Sequence, residues 1–376
     1  MTRVKKVLLV SPYSVIEVGG IGTWTKIMLD FCKERDDVQL HFQNTATWLP
    51  KSSSQKHLFS HITIGVLDSA SILIKLFFNM LRYRPDVVHY TSSAAMALHK
   101  DKMACFTVRK LFKKQFVIHW RFGRIPEIIE SKNREYNNLL KVIKSASASI
   151  VIDERSYLSL QSIGASNVYN LPNPISISLQ EESKRLDVET VQRERDKGTI
   201  LFVGHVIRTK GVIELVKACE RCESVKKLIL IGACNEEGLK QELVDLAAPR
   251  DNGQWLELKG ELKREQVISY YRKCGVFCLP SYTEGFPNTV IEAFANAAPT
   301  IATNVGAIPE IISGNCGICI PSKDVDALCD AIDSAFVNYD KTLEMGANGR
   351  EKVLREYTIE EVYKGYQYIW DAVLSK

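Results

Sequence analysis

The 376-residue sequence contains no apolar run long enough to cross a membrane. Its most hydrophobic stretch, residues 71–81, is interrupted by Lys75 and falls far short of the roughly 20 apolar residues that a spanning helix needs. The N-terminus leads directly into an apolar strand pattern and lacks the cleavage site of a signal peptide. We therefore expect a soluble, cytoplasmic protein whose membrane contact, if any, is peripheral, at the inner face of the cytoplasmic membrane.

Metal-binding patterns are scarce as well. No Asp-x-Asp sequence stands at a predicted strand end, where it would hold Mg²⁺ or Mn²⁺ on a diphosphate, and Asp324-Val-Asp326 lies at a predicted helix start. Cys219/Cys222 and Cys316/Cys319 have the spacing of zinc pairs, but no nearby histidine completes either of them. We expect no metal and no cofactor, and ten reduced, mostly buried thiols of the kind that a reducing cytosol maintains.

The charges are divided unevenly along the chain. Residues 1–175 carry 24 Lys and Arg against 13 Asp and Glu, whereas residues 176–376 carry 25 against 31. A basic half indicates an anionic partner, and basic residues alternate with apolar ones at 108–118. No nucleic-acid-binding motif is present. An anionic membrane surface or a phosphorylated substrate is therefore the favoured partner, and a merely solvated basic face is the alternative.

Short apolar strands alternate with helical segments in both halves of the sequence, which is typical of parallel sheets covered by helices. The alternation pauses at residues 171–174, and a charged stretch at 180–197, in which no strand is predicted, separates the halves. This pattern predicts two doubly wound parallel-sheet domains, 1–172 and 173–356, facing a central cleft, with a C-terminal helix at about 357–376 that packs back on the first. The strands are predicted at 7–10, 86–89, 116–119, 148–152, 199–203, 227–231, 255–258, 276–279, 300–302 and 317–320.

The most informative segment is residues 280–293. A strand ends at Leu279, a glycine turn follows, and a helix is predicted to begin near Pro287. The exposed N–H groups of such a helix start form an anion site that suits a diphosphate. Glu284 and Glu292, eight positions apart, are predicted to accept hydrogen bonds from hydroxyl groups of a sugar and a ribose, with Glu292 two turns into the helix.

These residues resemble glycosyltransferase family four, whose retaining members have the GT-B fold of two Rossmann-like domains. Glu284 and Glu292 match the E-x7-E signature of that family, and residues 298–310 and 258–260 are similar to it as well. The resemblance covers the second half strongly and the first half more loosely. It implies a donor-binding second domain, an acceptor-binding first domain and the following donor-site residues: Gly19, Gly20, Gly204, His205, Gly260, Glu284, Gly285, Phe286, Pro287, Asn288, Thr289 and Glu292.

A second segment of the resemblance is residues 202–211. Lys210 matches the lysine that neutralises the leaving diphosphate in this family, and a point cation suits the negative charge that builds on the departing oxygen. The family has an arginine directly after Gly204, whereas this sequence has His205. Arg208 supplies the missing cation in one interpretation, and His205 contributes only a hydrogen bond in the other.

The first half offers weaker matches to the family. Gly19 and Gly20 belong to a glycine-rich loop that resembles the family's loop after the first strand and allows close approach to the backbone, although it is not a dinucleotide fingerprint. His119 ends a predicted strand at the position of a family histidine that faces the donor sugar. Arg121 and Arg124 are candidates to hold a phosphate of the acceptor.

Together these features predict a retaining, metal-independent glycosyltransferase. The catalytic residues would be Lys210, Glu284, His119 and Arg208. The donor would be a nucleoside-diphosphate sugar, with uridine the preferred base. The acceptor would be a saccharide, and we expect a lipid-linked saccharide of surface-polysaccharide synthesis. A nucleotide-sugar epimerase of the same fold and a non-catalytic nucleotide-sugar-binding protein are the alternatives.

Overall fold

A computed structural model describes residues 4–14, 19–46, 58–93 and 97–376. The chain divides into two compact units. Unit 1 comprises Met1–Pro174 with Val362–Lys376, and unit 2 comprises Ile175–Glu361. Among the described residues, no helix is both long and apolar enough to cross a membrane.

Unit 1 is built on a six-stranded parallel sheet with the strand order β2-β1-β3-β4-β5-β6. Its strands are β1 (Lys5–Ser11), β2 (Val38–Asn44), β3 (Val87–Ser92), β4 (Gln115–Trp120), β5 (Ala148–Val151) and β6 (Val168–Asn170). Its helices are α1 (Gly20–Cys32), α2 (Leu58–Tyr83), α3 (Ala97–Phe106), which continues as a π-helical turn (Thr107–Leu111), α4 (Ile125–Ser131), α5 (Arg134–Ser145) and α6 (Glu154–Ser162).

Unit 2 contains a second six-stranded parallel sheet, with the order β12-β11-β10-β7-β8-β9. Its strands are β7 (Asp196–Val203), β8 (Lys227–Ile231), β9 (Leu256–Gly260), β10 (Cys274–Leu279), β11 (Thr300–Thr303) and β12 (Ile318–Ile320). Its helices are α7 (Ile177–Lys184), α8 (Val188–Arg193), α9 (Val212–Arg221), α10 (Leu239–Ala247), α11 (Arg264–Lys273), α12 (Asn288–Ala295), α13 (Ile308–Ile312), α14 (Val325–Val337) and α15 (Tyr339–Glu356), with 3-10 turns at Arg208–Lys210 and Asp251–Gly253.

The central strands are buried on both faces, as their uninterrupted apolar runs predict. Every residue of β3, β5, β10 and β11 is buried. Helices cover both sheets, so each unit has its own apolar core around its sheet. The predicted α/β class with two doubly wound parallel sheets is therefore confirmed.

Three local predictions were wrong in detail. The sequence pattern predicts the first helix from about Thr23 to Lys33, but the helix begins at Gly20, because Gly19 already has the extended backbone of an N-cap residue. The charged stretch at 180–197 was predicted to have no strand. However, β7 begins inside it at Asp196, so the first two residues of this central strand are charged. Glu292 lies about one turn into α12, not two, because that helix begins at Asn288.

The last helix, α16 (Ile359–Leu374), supplies aromatic side chains to unit 1. Tyr363, Tyr366 and Trp370 are buried, whereas Tyr368 is exposed. Trp24 Nε1 donates a hydrogen bond to Tyr366 Oη at 3.0 Å, so the end of the chain packs against the first helix of the sequence. Residues 362–376 thus belong to the same compact unit as the N-terminal sheet.

Candidate functional site

The candidate site lies at the carboxyl edge of the sheet in unit 2. Strands β7 and β10 are parallel neighbours, with Leu201 opposite Phe277. After β7 the chain proceeds to β8 on one side, and after β10 it proceeds to β11 on the other. Such a reversal opens a crevice outside the strand ends, where open α/β sheets bind their ligands. The segments that leave these two strands are the two that the sequence analysis selected.

Lys210 and Glu284 meet at this point. Lys210 ends the 3-10 turn after β7, and its Nζ lies 2.5 Å from Glu284 Oε1. Ser281 Oγ donates to the same carboxylate oxygen at 2.6 Å. Both charged side chains are largely shielded, with 24% and 10% of their surfaces exposed. The ammonium, the hydroxyl and the carboxylate therefore form one compact polar cluster.

The backbone joins the two loops directly. Tyr282 N donates to Thr209 O at 2.9 Å. Gly211 has φ +69°, and a Cβ there would lie 2.0 Å from Pro280 O. Only glycine allows this approach, because any other residue would be strained in the left-handed region and would collide with the neighbouring backbone. The contact sets the distance between the Lys210 turn and the Glu284 loop.

A third loop supports Glu284 from the opposite side. Gly306 follows β11 with φ +55°, and a Cβ there would lie 2.4 Å from Glu284 O and 2.6 Å from Gly285 O. Ala307 N donates to Gly285 O at 2.9 Å. The turn at residues 284 and 285 is thus held between the segments that follow β7 and β11.

Helix α12 begins immediately after this turn. Pro287 is its N-cap residue and has an extended backbone, so Asn288 and Thr289 form the first turn. The N-cap residue Pro287 makes no side-chain capping hydrogen bond. Phe286 packs against Tyr357, with ring centroids 5.9 Å apart, which anchors the entrance of the helix. The positive end of the helix dipole and its N–H groups are therefore directed to the strand edge where an anion would bind.

Glu292 occupies a different environment from Glu284. Burial raises the pKa of the Glu292 carboxyl, and the nearby Arg264 and Tyr271 oppose that rise. Its side chain lies on α12, beyond the first turn. A carboxylate in a shielded site of this kind is well suited to accept hydrogen bonds from hydroxyl groups.

The structure separates Arg208 from Lys210. The Arg208 guanidinium forms ion pairs with Glu236 at 2.9 Å and with Glu242. It does not contact Glu284 among the described residues. His205 is exposed beside it. Both interpretations of the missing family arginine, replacement by Arg208 and a hydrogen bond from His205, stay predictions.

Two of the predicted donor-site glycines end strands of the same sheet. Gly204 follows β7 with φ +152°, and its N–H donates to Ile231 O at 2.9 Å. Gly260 ends β9 with φ +66°, and its carbonyl accepts from Gly232 N at 2.8 Å. Both therefore lie at the carboxyl edge, but they are not in the Lys210–Glu284 cluster.

The predicted residues of unit 1 form a separate cluster. His119 is completely buried, and burial lowers its pKa well below the usual range, with a further contribution from the Arg121 charge. Arg121 Nη1 lies 3.2 Å from His119 Nε2. Arg124, by contrast, is exposed at the start of α4 and lies 3.9 Å from Glu135. The two arginines thus have different environments.

The glycine-rich segment is only partly described. Gly19 is the N-cap residue of α1, and Gly20 is its first residue. Both are exposed, and no side chain caps this helix. Residues 17 and 18 of the predicted loop lie outside the described residues.

The cysteines do not pair as their spacing suggested. All ten are free, and seven are buried. Cys222 Sγ lies 2.9 Å from Cys329 Sγ, whereas Cys219 is within α9. Cys222, Cys329 and Asp333 place potential ligand atoms within 4.8 Å of one another.

Sequence reasoning assigned no role to Ser281 or His89. Ser281 is buried and orients Glu284, and its place three residues before that glutamate is the signal that was available. His89 Nε2 lies 3.2 Å from His119 Nδ1 on the neighbouring strand. Only the pairing of β3 with β4 brings these two rings together, so no local pattern reveals their contact.

The sequence is similar to a family model and to several curated proteins. Residues 183–352 match the family model of glycosyl transferases group 1. The capsular polysaccharide biosynthesis glycosyltransferase CapM of Staphylococcus aureus is 26% identical over 201 residues, which are 52% of this chain and 52% of CapM. Of several such curated relatives, CapM included, the chain spans about half the length. An uncharacterized 41.2 kDa protein in the cps region of Klebsiella pneumoniae is 24% identical over 372 residues, covering 93% of this chain and 97% of that protein.

Solved structures show the same architecture. HepE from Anabaena, crystallised in complex with UDP, superposes with a TM-score of 0.71 at 14% identity, covering 98% of this chain and 100% of that chain. At this identity the likeness establishes the fold alone. Residues 183–352 are therefore similar to the glycosyl transferases group 1, and the chain has the GT-B fold.

Proposed function

We propose that this protein is a retaining glycosyltransferase that transfers a sugar from a nucleoside-diphosphate sugar to an acceptor hydroxyl. The observation that carries the proposal is the contact between Lys210 and Glu284, which lies beside the uncapped start of α12. Cation, helix N-terminus and carboxylate together provide what a sugar diphosphate presents, namely two phosphates and several hydroxyl groups.

In the proposed reaction the bond between the anomeric carbon and the diphosphate oxygen breaks. The acceptor hydroxyl attacks from the face that the diphosphate leaves, and its proton passes to the departing oxygen. Lys210 and the first turn of α12 stabilise the negative charge that develops on the diphosphate. Glu284 binds the donor sugar and Glu292 the ribose. No metal ion takes part in this scheme, because a lysine and a helix dipole supply the positive charge.

The comparisons favour a role in the synthesis of surface polysaccharides. CapM is named for capsular polysaccharide biosynthesis, and the Klebsiella relative is encoded in a cps region. HepE was crystallised with UDP, which supports uridine as the base. We propose a UDP-sugar as the donor and a lipid-linked saccharide as the acceptor.

A donor screen tests this function. Thermal shifts are measured with UDP, GDP and ADP and with their hexose derivatives, with and without EDTA. We expect one nucleotide and its sugar to raise the melting temperature, with no effect of EDTA, because ligand binding to the folded state stabilises it. Turnover is then measured as nucleotide release after addition of lipid extract. Isomerisation of the donor without an acceptor would indicate an epimerase, and binding without any turnover would indicate a non-catalytic binding protein.

An exposed surface of unit 1 supports the proposal of a membrane-linked acceptor. Leu67, Ile74, Phe78 and Leu81 form a stripe at helical spacing along α2, and each is more than half exposed. Phe77 contacts Phe112, with ring centroids 5.3 Å apart, so the end of the π-helical segment lies beside α2. Met103, Phe106 and Leu111 are exposed there as well.

We call this apolar stripe the α2 surface, and basic residues surround it. Those with exposed side chains are Lys75, Arg82, Lys110 and Lys113. Exposed apolar residues among lysines and arginines are typical of helices that lie in the interface of an anionic bilayer. We propose that the α2 surface binds the anionic inner face of the cytoplasmic membrane.

Vesicle sedimentation tests this second proposal. Wild-type protein is expected to sediment with vesicles of 30% phosphatidylglycerol at low salt and to be released as salt is raised, since screening weakens the electrostatic term. The double variant Ile74→Ser, Phe78→Ser should stay in the supernatant. Val337→Ser, at an exposed apolar position in unit 2, is the matched control. Equal sedimentation of all three proteins would contradict the proposal.

A further inference from the structure

Two cysteines of unit 2 lie side by side where α9 packs against α14. Cys222 is the C-cap residue of α9, and Cys329 lies within α14. Their Sγ atoms are 2.9 Å apart, although 107 positions separate the two residues in the sequence. The spacing of the cysteines did not indicate this pair, because its members come from two different helices.

A carboxylate adds a third potential ligand to the two sulfurs. Asp333 lies four positions after Cys329, on the same face of α14, and Cys329 Sγ donates to Asp333 Oδ2 at 4.0 Å. Ser224 Oγ donates to Asp333 Oδ1 at 3.0 Å, so a residue just beyond α9 orients this carboxylate. The two sulfurs and a carboxylate oxygen lie within 4.8 Å of one another. Side chains from both helices thus converge on one point.

A neighbouring arginine fixes the backbone of Cys222. Arg250 Nη1 donates to Cys219 O at 2.8 Å and to Cys222 O at 3.1 Å, so the guanidinium binds the last carbonyl groups of α9. The guanidinium also stacks on Trp255, at 4.1 Å from the ring centroid. A ligand residue that other contacts already hold in place need not be ordered when an ion binds. Two thiolates and a carboxylate exceed the charge of a divalent ion by one, and the positive charge of Arg250 offsets that excess.

The dimensions of this group suit a tetrahedral zinc ion. With Zn–S bonds of about 2.3 Å and Zn–O bonds of about 2.1 Å, the sulfurs would move from 2.9 Å to about 3.8 Å apart, and Cys329 Sγ and Asp333 Oδ2 from 4.0 Å to about 3.6 Å. Two sulfur ligands favour such an ion over Mg²⁺ or Ca²⁺, which prefer oxygen. Cys329 and Asp333 are partly exposed, so an ion can reach the group from solvent and water can supply a fourth ligand.

We propose that Cys222, Cys329 and Asp333 bind one zinc ion, which cross-links α9 to α14. A disulfide between the two cysteines would account for the sulfur contact but not for the oriented carboxylate beside it. The site is structural and takes no part in sugar transfer. Lys210 lies before the start of α9, whereas Cys222 lies at its end, about 15 Å away along a helix of 10 residues. Because the ion binds the folded arrangement of both helices, it stabilises unit 2.

Zinc binding by the full-length protein tests the proposal directly. The protein is stripped of metal with EDTA, kept reduced with a phosphine, and titrated with Zn²⁺ in competition with a chromophoric chelator. We expect one ion per chain, and Cd²⁺ in its place should produce the ultraviolet charge-transfer band of thiolate ligands. Zn²⁺ at about 100 times its dissociation constant should raise the melting temperature by about 5–10 °C, without changing the shift that a nucleotide produces. Absence of zinc binding by the reduced protein would overturn the proposal.

Matched variants locate the site. Cys329→Ser and Asp333→Asn each remove one ligand and should weaken zinc binding about tenfold or more. Cys319→Ser removes an exposed thiol from β12, and Asp330→Asn neutralises an exposed carboxylate on α14, so both controls should bind zinc as the wild-type protein does. Equal affinities in the Cys329 and Cys319 variants would refute the assignment. A disulfide between Cys222 and Cys329 in peptide maps of the unreduced protein, with no zinc binding after reduction, would indicate a redox pair and would also refute it.

Discussion

At the scale of single residues, the carboxylate of Glu284 is held by a cation and a hydroxyl. Lys210 and Ser281 both reach its Oε1, at 2.5 and 2.6 Å. Ser281 is itself held by the last residue of β11, because Thr303 Oγ1 donates to its carbonyl at 2.6 Å. The carboxylate therefore has one orientation before any donor binds. Preorganisation of this kind reduces the cost of arranging the site during the reaction.

The first prediction concerns Lys210. Replacement by alanine removes the cation nearest to the proposed diphosphate, and we expect kcat to fall about 10²–10³-fold, the usual effect of losing one preorganised group of a site. Sugar transfer is measured with the donor identified by the thermal screen. Lys217→Ala removes an exposed lysine from α9 and serves as the control. Similar activity in both variants would speak against a role of Lys210 in leaving-group stabilisation.

The second prediction concerns the pH dependence of stability at Asp101. This carboxylate is completely buried; its Oδ2 accepts a 2.5 Å hydrogen bond from Ser92, and Tyr90 is a second neighbour that interacts with it. Burial raises its pKa from 3.8 to about 6. The folded state therefore binds more protons than the unfolded state between these values, so stability falls as the pH rises through this window.

Asp101→Asn removes this titration. We expect the wild-type protein to lose about 2 kcal/mol relative to the variant between pH 4 and pH 6, and the difference to level off at about pH 7. Urea unfolding at several pH values measures it. A constant difference across the whole range would show that folding does not raise the pKa of Asp101.

At the scale of elements, the ends of β7 and β10 determine which side chains can meet. Parallel strands end at one edge of the sheet, and the reversal of connections between β7 and β10 leaves that edge open. Gly211 then brings the two loops into direct backbone contact. The distance between Lys210 and Glu284 thus depends on a residue that has no side chain.

The third prediction tests this backbone contact. Gly211→Ala should lower both stability and kcat, because its Cβ would lie 2.0 Å from Pro280 O and would force the two loops apart. Gly238→Ala is the matched control, since Gly238 has φ +74° but nothing within 4 Å of the new Cβ. Both variants should lose about 1 kcal/mol from left-handed strain, and only the first should lose activity. Thermal unfolding and initial rates distinguish the two effects.

At the scale of the whole molecule, the chain returns to its N-terminal sheet at the end. Trp370 and Tyr366 of α16 lie against His89 and Trp24, and all four are buried. Large aromatic residues contribute strongly to a core, and their loss typically costs several kcal/mol. Unit 1 is therefore incomplete without the last fifteen residues, although they are the farthest from it in the sequence.

The fourth prediction follows from this return of the chain. A protein that ends at Glu361 should have an unstable unit 1 and an intact unit 2, whereas one that ends at Leu374 should resemble the full-length chain. Limited proteolysis with mass spectrometry measures this, and we expect early cleavage between residues 19 and 174 only in the shorter variant. Equal protection of both truncated proteins would show that α16 is not part of the core of unit 1.

The amino-acid sequence alone predicted the fold class and most of the strands. Uninterrupted apolar runs such as those of β3 and β10 are sufficient for this, because burial on both faces requires them. It also identified the segments around Lys210 and Glu284, since glycine turns at strand ends and the E-x7-E spacing are local signals. It did not reveal the strand that begins at Asp196 or the start of the first helix at Gly20, because these boundaries depend on neighbouring strands and on backbone geometry.

Which of these residues contact one another depends on the tertiary structure. Lys210 and Glu284 are 74 positions apart, and their contact depends on the pairing of β7 with β10. The contacts that run from Trp370 through His89 and His119 to Arg121 depend equally on the pairing of β3 with β4 and on the position of α16. Local sequence carries propensity and periodicity, whereas contacts between distant segments follow from the strand order and the close packing of the core. For that reason the segment that contains Lys210 could be selected from the sequence, but the environment of Arg121 could not be predicted.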